Sequence, residues 1–201
     1  MNNATGQTTR DIARELARRY STMTHDELDE LESVLIPRKY QRGEIILSKG
    51  EVSKDIYWIA KGLVRLFYEK NGKELTEHLA VENSIIMSIE SLFQEKPTRL
   101  QIMAVEPTLL YAMPRLQLER KATRSVNIQM LYRKILEESL IHSQVHADMM
   151  RFESAKSRYE RFMKLHPQVV LRAPLVYVAS FLQMTPETLS RVRTASLSDG
   201  E

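Results

Sequence analysis

Apolar positions along this chain recur with two different periods, and the change of period divides it. Over residues 9–34 the spacing is helical: Ile12, Leu16 and Ala17 make one stripe, and Leu28, Leu31, Val34 and Leu35 make a second. Thr24 with Glu27 three residues on fits a capping box at the start of the second helix. Beyond Pro37 the texture shortens. Stretches rich in Ile, Val, Tyr and Phe alternate with the turn signals Arg42-Gly43, Lys49-Gly50, Lys61-Gly62, Asn71-Gly72 and Lys96-Pro97. Regular turns of this kind separate the short strands of a β-roll, sandwich or barrel. The clearest predicted strands are 45–47, 56–59, 63–68 and 100–104. Lys61-Gly62 and Asn71-Gly72 read as hairpin turns, because Asn-Gly accepts the positive φ that a tight turn demands.

Near residue 114 the helical period returns. Pro114 opens a short amphipathic element, and no Gly or Pro interrupts residues 126–153, which read as one long helix. A heptad frame puts Ile128, Ile135, His142 and Met149 at one seam position and Leu131, Glu138, Val145 and Phe152 at the other. Leu136, Leu140 and Ile141 widen the apolar face, so the helix can serve a partner helix, its own core, or both. As a dimerisation spine it would join two copies through Ile128, Leu131, Ile135 and Val145. A further helix from about Ala155 ends at His166-Pro167, and a short connection leads on through Arg172, Ala173 and Pro174.

The next stretch, residues 178–193, carries the most chemistry. Val178, Ala179 and Leu182 form one helical stripe, and Leu189 and Val192 form another. Between them Thr185 is a good N-cap, and Pro186 falls at the first helical position, whose amide has no intrahelical partner. The second helix then presents Glu187, Thr188, Ser190, Arg191 and Arg193, side chains able to bond base edges or phosphates. An ordinary helical hairpin and a DNA-reading helix-turn-helix both fit this pattern.

Charge favours the second. Net charge is zero over residues 1–150, whereas residues 151–193 carry a net +5, and Asp199 and Glu201 follow in the small, polar, acidic tail. The excess of positive charge therefore lies with the candidate helix-turn-helix, where phosphates would draw it. The 201 residues contain no cysteine, which removes disulfides, thiol nucleophiles and cysteine-held metals or clusters. No apolar run approaches the length of a membrane span and no signal peptide opens the chain, so a cytoplasmic protein without membrane contact is expected. The start, Met1 to Gln7, is small and polar, and fraying is expected there. His78 is the one histidine between residues 37 and 115, so the ligand cluster of a metal-dependent β-roll enzyme is missing. No nucleophile sits in a recognisable motif, and no catalytic residue is assigned. His142 and His146 share a helix face, a spacing that also permits a divalent metal, although histidines on a charged helix are usually solvated.

Taken in order, helix, β-roll, long helix and helix-turn-helix resemble the cyclic-AMP receptor protein/Fnr family of bacterial transcription regulators. Arg42-Gly43-Glu44-Ile45-Ile46-Leu47 with Gly50-Glu51 looks like the family's opening roll motif, and Tyr57-Trp58-Ile59 with Lys61-Gly62-Leu63-Val64-Arg65 looks like its next hairpin. Glu187-Thr188-Leu189-Ser190-Arg191 is similar to its recognition-helix signature. The resemblance implies an α+β chain: a cyclic-nucleotide-binding-like β-roll (jelly-roll) effector domain over 1–125, a dimerisation helix over 126–153, and a helix-turn-helix domain over 154–201 with its wing reduced or absent. It implies a homodimer on double-stranded DNA at a palindromic operator, with DNA contacts from Thr185, Pro186, Glu187, Thr188, Ser190, Arg191 and Arg193. The alternative is a cyclic-nucleotide-binding regulatory module acting through protein partners.

The family's phosphate-binding cassette aligns with residues 88–100. Arg99 falls at its arginine, but Ser88-Ile89 stands for Gly-Glu and Leu100 for the hydroxyl residue. Glu90 reaches the acidic position only after a one-residue shift. Cyclic AMP is therefore not the expected effector, no cofactor is identified, and the small-molecule effector is unknown. If an anion binds, Glu90 and Arg99 mark the place; a solvated loop arginine is the other reading of Arg99. Pro186 also stands where well-known relatives carry a guanine-reading arginine, so a different target sequence is expected.

Overall fold

The computed structural model describes residues 8–198, with side chains to residue 195; Met1–Gln7 and the tail acids Asp199 and Glu201 lie outside the described residues. Helices α1 (Thr9–Tyr20) and α2 (His25–Glu32) lead into eight strands: β1 (Ile36–Tyr40), β2 (Ile45–Leu47), β3 (Asp55–Lys61), β4 (Val64–Lys70), β5 (Lys73–Ala80), β6 (Ile85–Ile86), β7 (Gln101–Ala104) and β8 (Thr108–Pro114), with α3 (Ile89–Gln94) between β6 and β7. There follow α4 (Arg115–Ala122), α5 (Val126–Phe152), α6 (Ala155–Leu165), α7 (Pro167–Arg172), α8 (Leu175–Phe181) and α9 (Pro186–Ser198). The α+β class, the roll, the long helix and the terminal helical pair are as the sequence predicts.

The strands form two four-stranded antiparallel sheets, ordered β1-β8-β3-β6 and β2-β7-β4-β5. Their inner faces enclose Ile46, Tyr57, Ile59, Leu66, Ile102 and Leu110, so the roll interior is filled by its own side chains. The first sheet is covered on its outer face too. Ile56, Trp58, Tyr111 and Met113 point the other way along β3 and β8, into a core shared with α1, α2, α4 and α5. Two-sided burial explains why β3 and β8 are apolar at nearly every position.

Asn71 and Gly72 both have positive φ in the β4–β5 hairpin, as expected of Asn-Gly. Lys61-Gly62 behaves differently. Strands β3 and β4 belong to different sheets, so this turn carries the chain across the roll and closes no hairpin. Gly62 is still required: its φ is +110°, and a Cβ there would stand 2.8 Å from Thr108 Cα.

The outer face of the second sheet is covered by the C-terminal helices. Leu63, Leu79 and Val105 pack with Met149, Tyr159, Phe162, Phe181 and Leu182. Polar contacts pin the same joint. On edge strand β5 the Thr76 amide donates to Ser180 Oγ at 2.8 Å, and that hydroxyl donates to the Glu74 carbonyl at 3.1 Å. The fully buried Arg65 guanidinium lies between the rings of Phe67 and Tyr177, at 4.3 and 3.9 Å from their centres. Arg172 holds Glu82 at 2.7 Å and also pairs with Glu106.

Candidate nucleic-acid interface

Helix α8 stops at Phe181, and Gln183 turns the chain with a φ of +52°. The Met184 amide donates back to the Ala179 carbonyl at 3.0 Å, which tightens the turn. Thr185 then caps α9 as its sequence demands: its Oγ1 accepts from the Thr188 amide at 3.2 Å, and its carbonyl accepts the Leu189 amide at 2.9 Å. Pro186 takes the first helical position. Leu189 is buried and Val192 half-buried against α8 and α6, and this packing fixes which face of α9 turns outward.

That outward face carries Pro186, Glu187, Ser190, Arg191 and Arg193, all exposed. Glu187 and Arg191 lie one turn apart on it. The Glu187 backbone amide and the Thr185 hydroxyl hold the Glu187 carboxyl below the usual carboxylate range, and Arg191 acts in the same direction. Thr188 is half-buried, and its hydroxyl accepts from Arg191 Nη2 at 3.3 Å, so it steadies the arginine. Arg193 borders a small apolar crevice with Tyr159, Val170, Leu175, Val178 and Leu189. The seven residues singled out from sequence are thus brought together on one short, capped helix. Sequence reasoning missed α7, which replaces an expected loop.

The predicted spine residues separate. Ile128, Leu131 and Ile135 are buried in the core of their own chain, beside Leu16, Trp58 and Leu118. Within the single chain these three side chains face inward, against α1, α4 and the first sheet. Only Val145 of the four is exposed, and it lies with Leu140, Ile141 and Phe152, which are 70%, 59% and 80% exposed. The free apolar stripe of α5 is therefore its C-terminal half.

Glu90 and Arg99 do meet, as a solvent-exposed ion pair of 3.2 Å. Behind them lie buried serine and threonine hydroxyls, of which Ser53 Oγ has no hydrogen-bond partner. Ser88 Oγ bonds Thr98 Oγ1 at 2.9 Å, and Ser91 Oγ accepts the Ser53 amide at the same distance. His142 is exposed, while His146 packs on Phe181 with ring centres 4.6 Å apart. No three His, Asp or Glu side chains among the described residues are grouped to hold a metal ion, and no helix among them is long and apolar enough to cross a membrane.

Comparison with known proteins agrees with this architecture. Residues 37–125 match the cyclic nucleotide-binding domain family. FixK2 from Bradyrhizobium japonicum is 19% identical with a TM-score of 0.73, covering 83% of this chain and 86% of that one. The Thermus thermophilus catabolite activator protein is 24% identical with a TM-score of 0.55, over 92% and 87% of the two chains. A c-di-GMP responsive global regulator from Xanthomonas campestris, CLP, is 13% identical with a TM-score of 0.66, over 88% and 93%. No curated protein sequence matches the chain.

Proposed function

We propose that this chain, whose residues 37–125 match the cyclic nucleotide-binding domain family and whose fold is that of cyclic-AMP receptor protein/Fnr-type regulators, is a sequence-specific, DNA-binding transcription regulator. It works as a homodimer on a palindromic operator, without catalysis, in the cytoplasm. The effector domain spans 1–125, the dimerisation helix 126–153 and the DNA-binding domain 154–201. The observation that carries the reading is α9: capped by Thr185 and seated by Leu189, it offers Glu187, Ser190, Arg191 and Arg193 to solvent. Free amides and the helix dipole at its start favour a phosphate, while the first-turn side chains can reach base edges.

A gel-shift titration on a pool of randomised duplexes tests this. Binding is expected to weaken steeply with salt, with a log–log slope of about −0.9 for each phosphate neutralised. Selection from the pool should yield a two-fold symmetric consensus. Absence of binding at low salt would overturn the proposal in favour of a module acting through protein partners.

Cyclic AMP is not the effector in this reading. The surface pair of Glu90 with Arg99 and the closed Ser88–Thr98 bond support that, as does the filled roll interior. Titration calorimetry with cyclic AMP should give little or no heat of binding. A dissociation constant in the low micromolar range would mean that Glu90 swings to a ribose hydroxyl and Arg99 to the phosphate.

A further inference from the structure

Four histidines meet where the second sheet, the long helix and the C-terminal helices join. His78 on β5 and His142 on α5 have ring centres 6.4 Å apart. His146, one turn along α5, packs on Phe181 of α8 at 4.6 Å. Phe181 in turn touches Phe162 of α6 at 5.1 Å, and Phe162 touches His166 at 5.2 Å. These rings line the joint between the roll and the helices that carry α9, with His78 and His146 half-buried and His142 and His166 at its exposed rim. His146 Nδ1 is buried in it without a hydrogen-bond partner.

We propose that this histidine cluster is a proton-sensitive joint, which mild acidification opens, releasing the α8–α9 pair from the roll. Within the cluster the titratable neighbours of each histidine are the other histidines, and one carboxylate, Glu77 of β5, acts on His146. Two arginines at the joint are matched: Arg65 with Glu74 at 2.5 Å, and Arg172 with Glu82 and Glu106. A proton added to His78 therefore meets burial and like charge, and one added to His146 meets burial.

The direction follows from these surroundings. Burial, then repulsion from His142, His166 and His146, pushes His78 down to about 4. Burial lowers His146 against the pull of Glu77, and burial followed by His142 lowers His166. In an opened joint the rings return to an ordinary pKa of about 6.5. The closed joint is thus fully favoured above that value and loses ground as pH falls through it, levelling off for His78 near 4. Over that window one such histidine raises the open-to-closed ratio roughly tenfold per pH unit. Going from pH 7.5 to 5.5 should therefore multiply the ratio about tenfold through His78 alone, and further through His146 and His166.

The chain has no cysteine, so Lys70→Cys on the β4–β5 hairpin and Lys164→Cys on α6, both at exposed positions, allow a donor–acceptor dye pair. Labelled chains are diluted into unlabelled protein so that each assembly carries one pair. Energy transfer is expected to change reversibly between pH 7.5 and 5.5 while emission from Trp58, buried in the core beneath α1, stays constant. His78→Phe with His146→Phe should flatten the response; should that double variant fail to fold, His166→Gln should reduce it. Constant transfer in the parent protein, or variants that respond as the parent does, would overturn the joint. The consequence for DNA rests on the reading of α9 proposed above, and the two fail separately. Transfer that changes in a protein binding no DNA at any pH sinks that reading alone; DNA binding at pH 7.5 with constant transfer sinks the joint alone.

Discussion

Arg191→Ala is expected to relax base preference at one position in each half-site of the selected DNA consensus. Arg191 stands on the exposed face of α9, one turn beyond Glu187, and Thr188 Oγ1 restrains its guanidinium. A guanidinium held in this way can grip guanine O6 and N7 together, a contact worth roughly 1–3 kcal/mol of discrimination. That corresponds to a loss of roughly 5- to 150-fold against the preferred base and little change against the others. Arg193→Ala should act differently. Its side chain leaves α9 beside the apolar crevice, where it suits a phosphate better than a base edge. All sequences should weaken alike, and the salt slope should become shallower by about one phosphate equivalent. Leu189→Ala belongs to a third class, because that buried side chain seats the helix and its loss costs stability. Selection from randomised sites, repeated at several salt concentrations, separates the three outcomes. An unchanged consensus and unchanged affinity for Arg191→Ala would show that α9 is not the reader.

Local signals in the sequence carry over to the structure closely. The Thr24–Glu27 box forms both of its bonds, at 2.9 and 3.3 Å. Thr185 caps α9, and Asn71-Gly72 turns a hairpin. Each depends on neighbours within a few residues, so each is legible from them alone. What is missing from the sequence reading depends on distant partners. Strand β5 reads Lys-Glu-Leu-Thr-Glu-His-Leu-Ala, a polar segment that pairs with β4 and is covered by α8 from about a hundred residues away. From Leu109 to Met113 strand β8 is apolar because both of its faces are covered, so it shows no alternation to read. Gly62 signals a turn correctly, but nothing local says that the turn changes sheets. Glu90 and Arg99 come within bonding distance of each other as an exposed ion pair, a contact that no local pattern announces.

The long helix shows the same limit with the largest consequence. A heptad frame identifies an apolar seam but not who occupies it. In the N-terminal half the occupants are the chain's own α1 and α4 with Trp58, which leaves Leu140, Ile141, Val145 and Phe152 exposed for the proposed second copy. Leu140→Asp with Ile141→Asp is therefore expected to yield folded monomers. In a two-fold interface every substitution occurs twice, so the pair would bring four carboxylates to a desolvated seam. Without the dimer each recognition helix binds its half-site alone, and DNA affinity should drop by about 10²- to 10⁴-fold as the linked second contact is lost. Leu131→Asp with Ile135→Asp is the contrasting pair. Both sites are fully buried, and an unpaired carboxylate there costs several kcal/mol, about as much as a domain's whole margin of stability. That variant should unfold or aggregate, with a collapsed melting transition, and should not appear as an ordered monomer. Light scattering with circular dichroism on the two double variants distinguishes them. A Leu140/Ile141 variant that stays dimeric would remove the seam from the C-terminal half. A Leu131/Ile135 variant that is folded and monomeric would return it to the heptad positions and require α1 to leave α5 in the assembled protein.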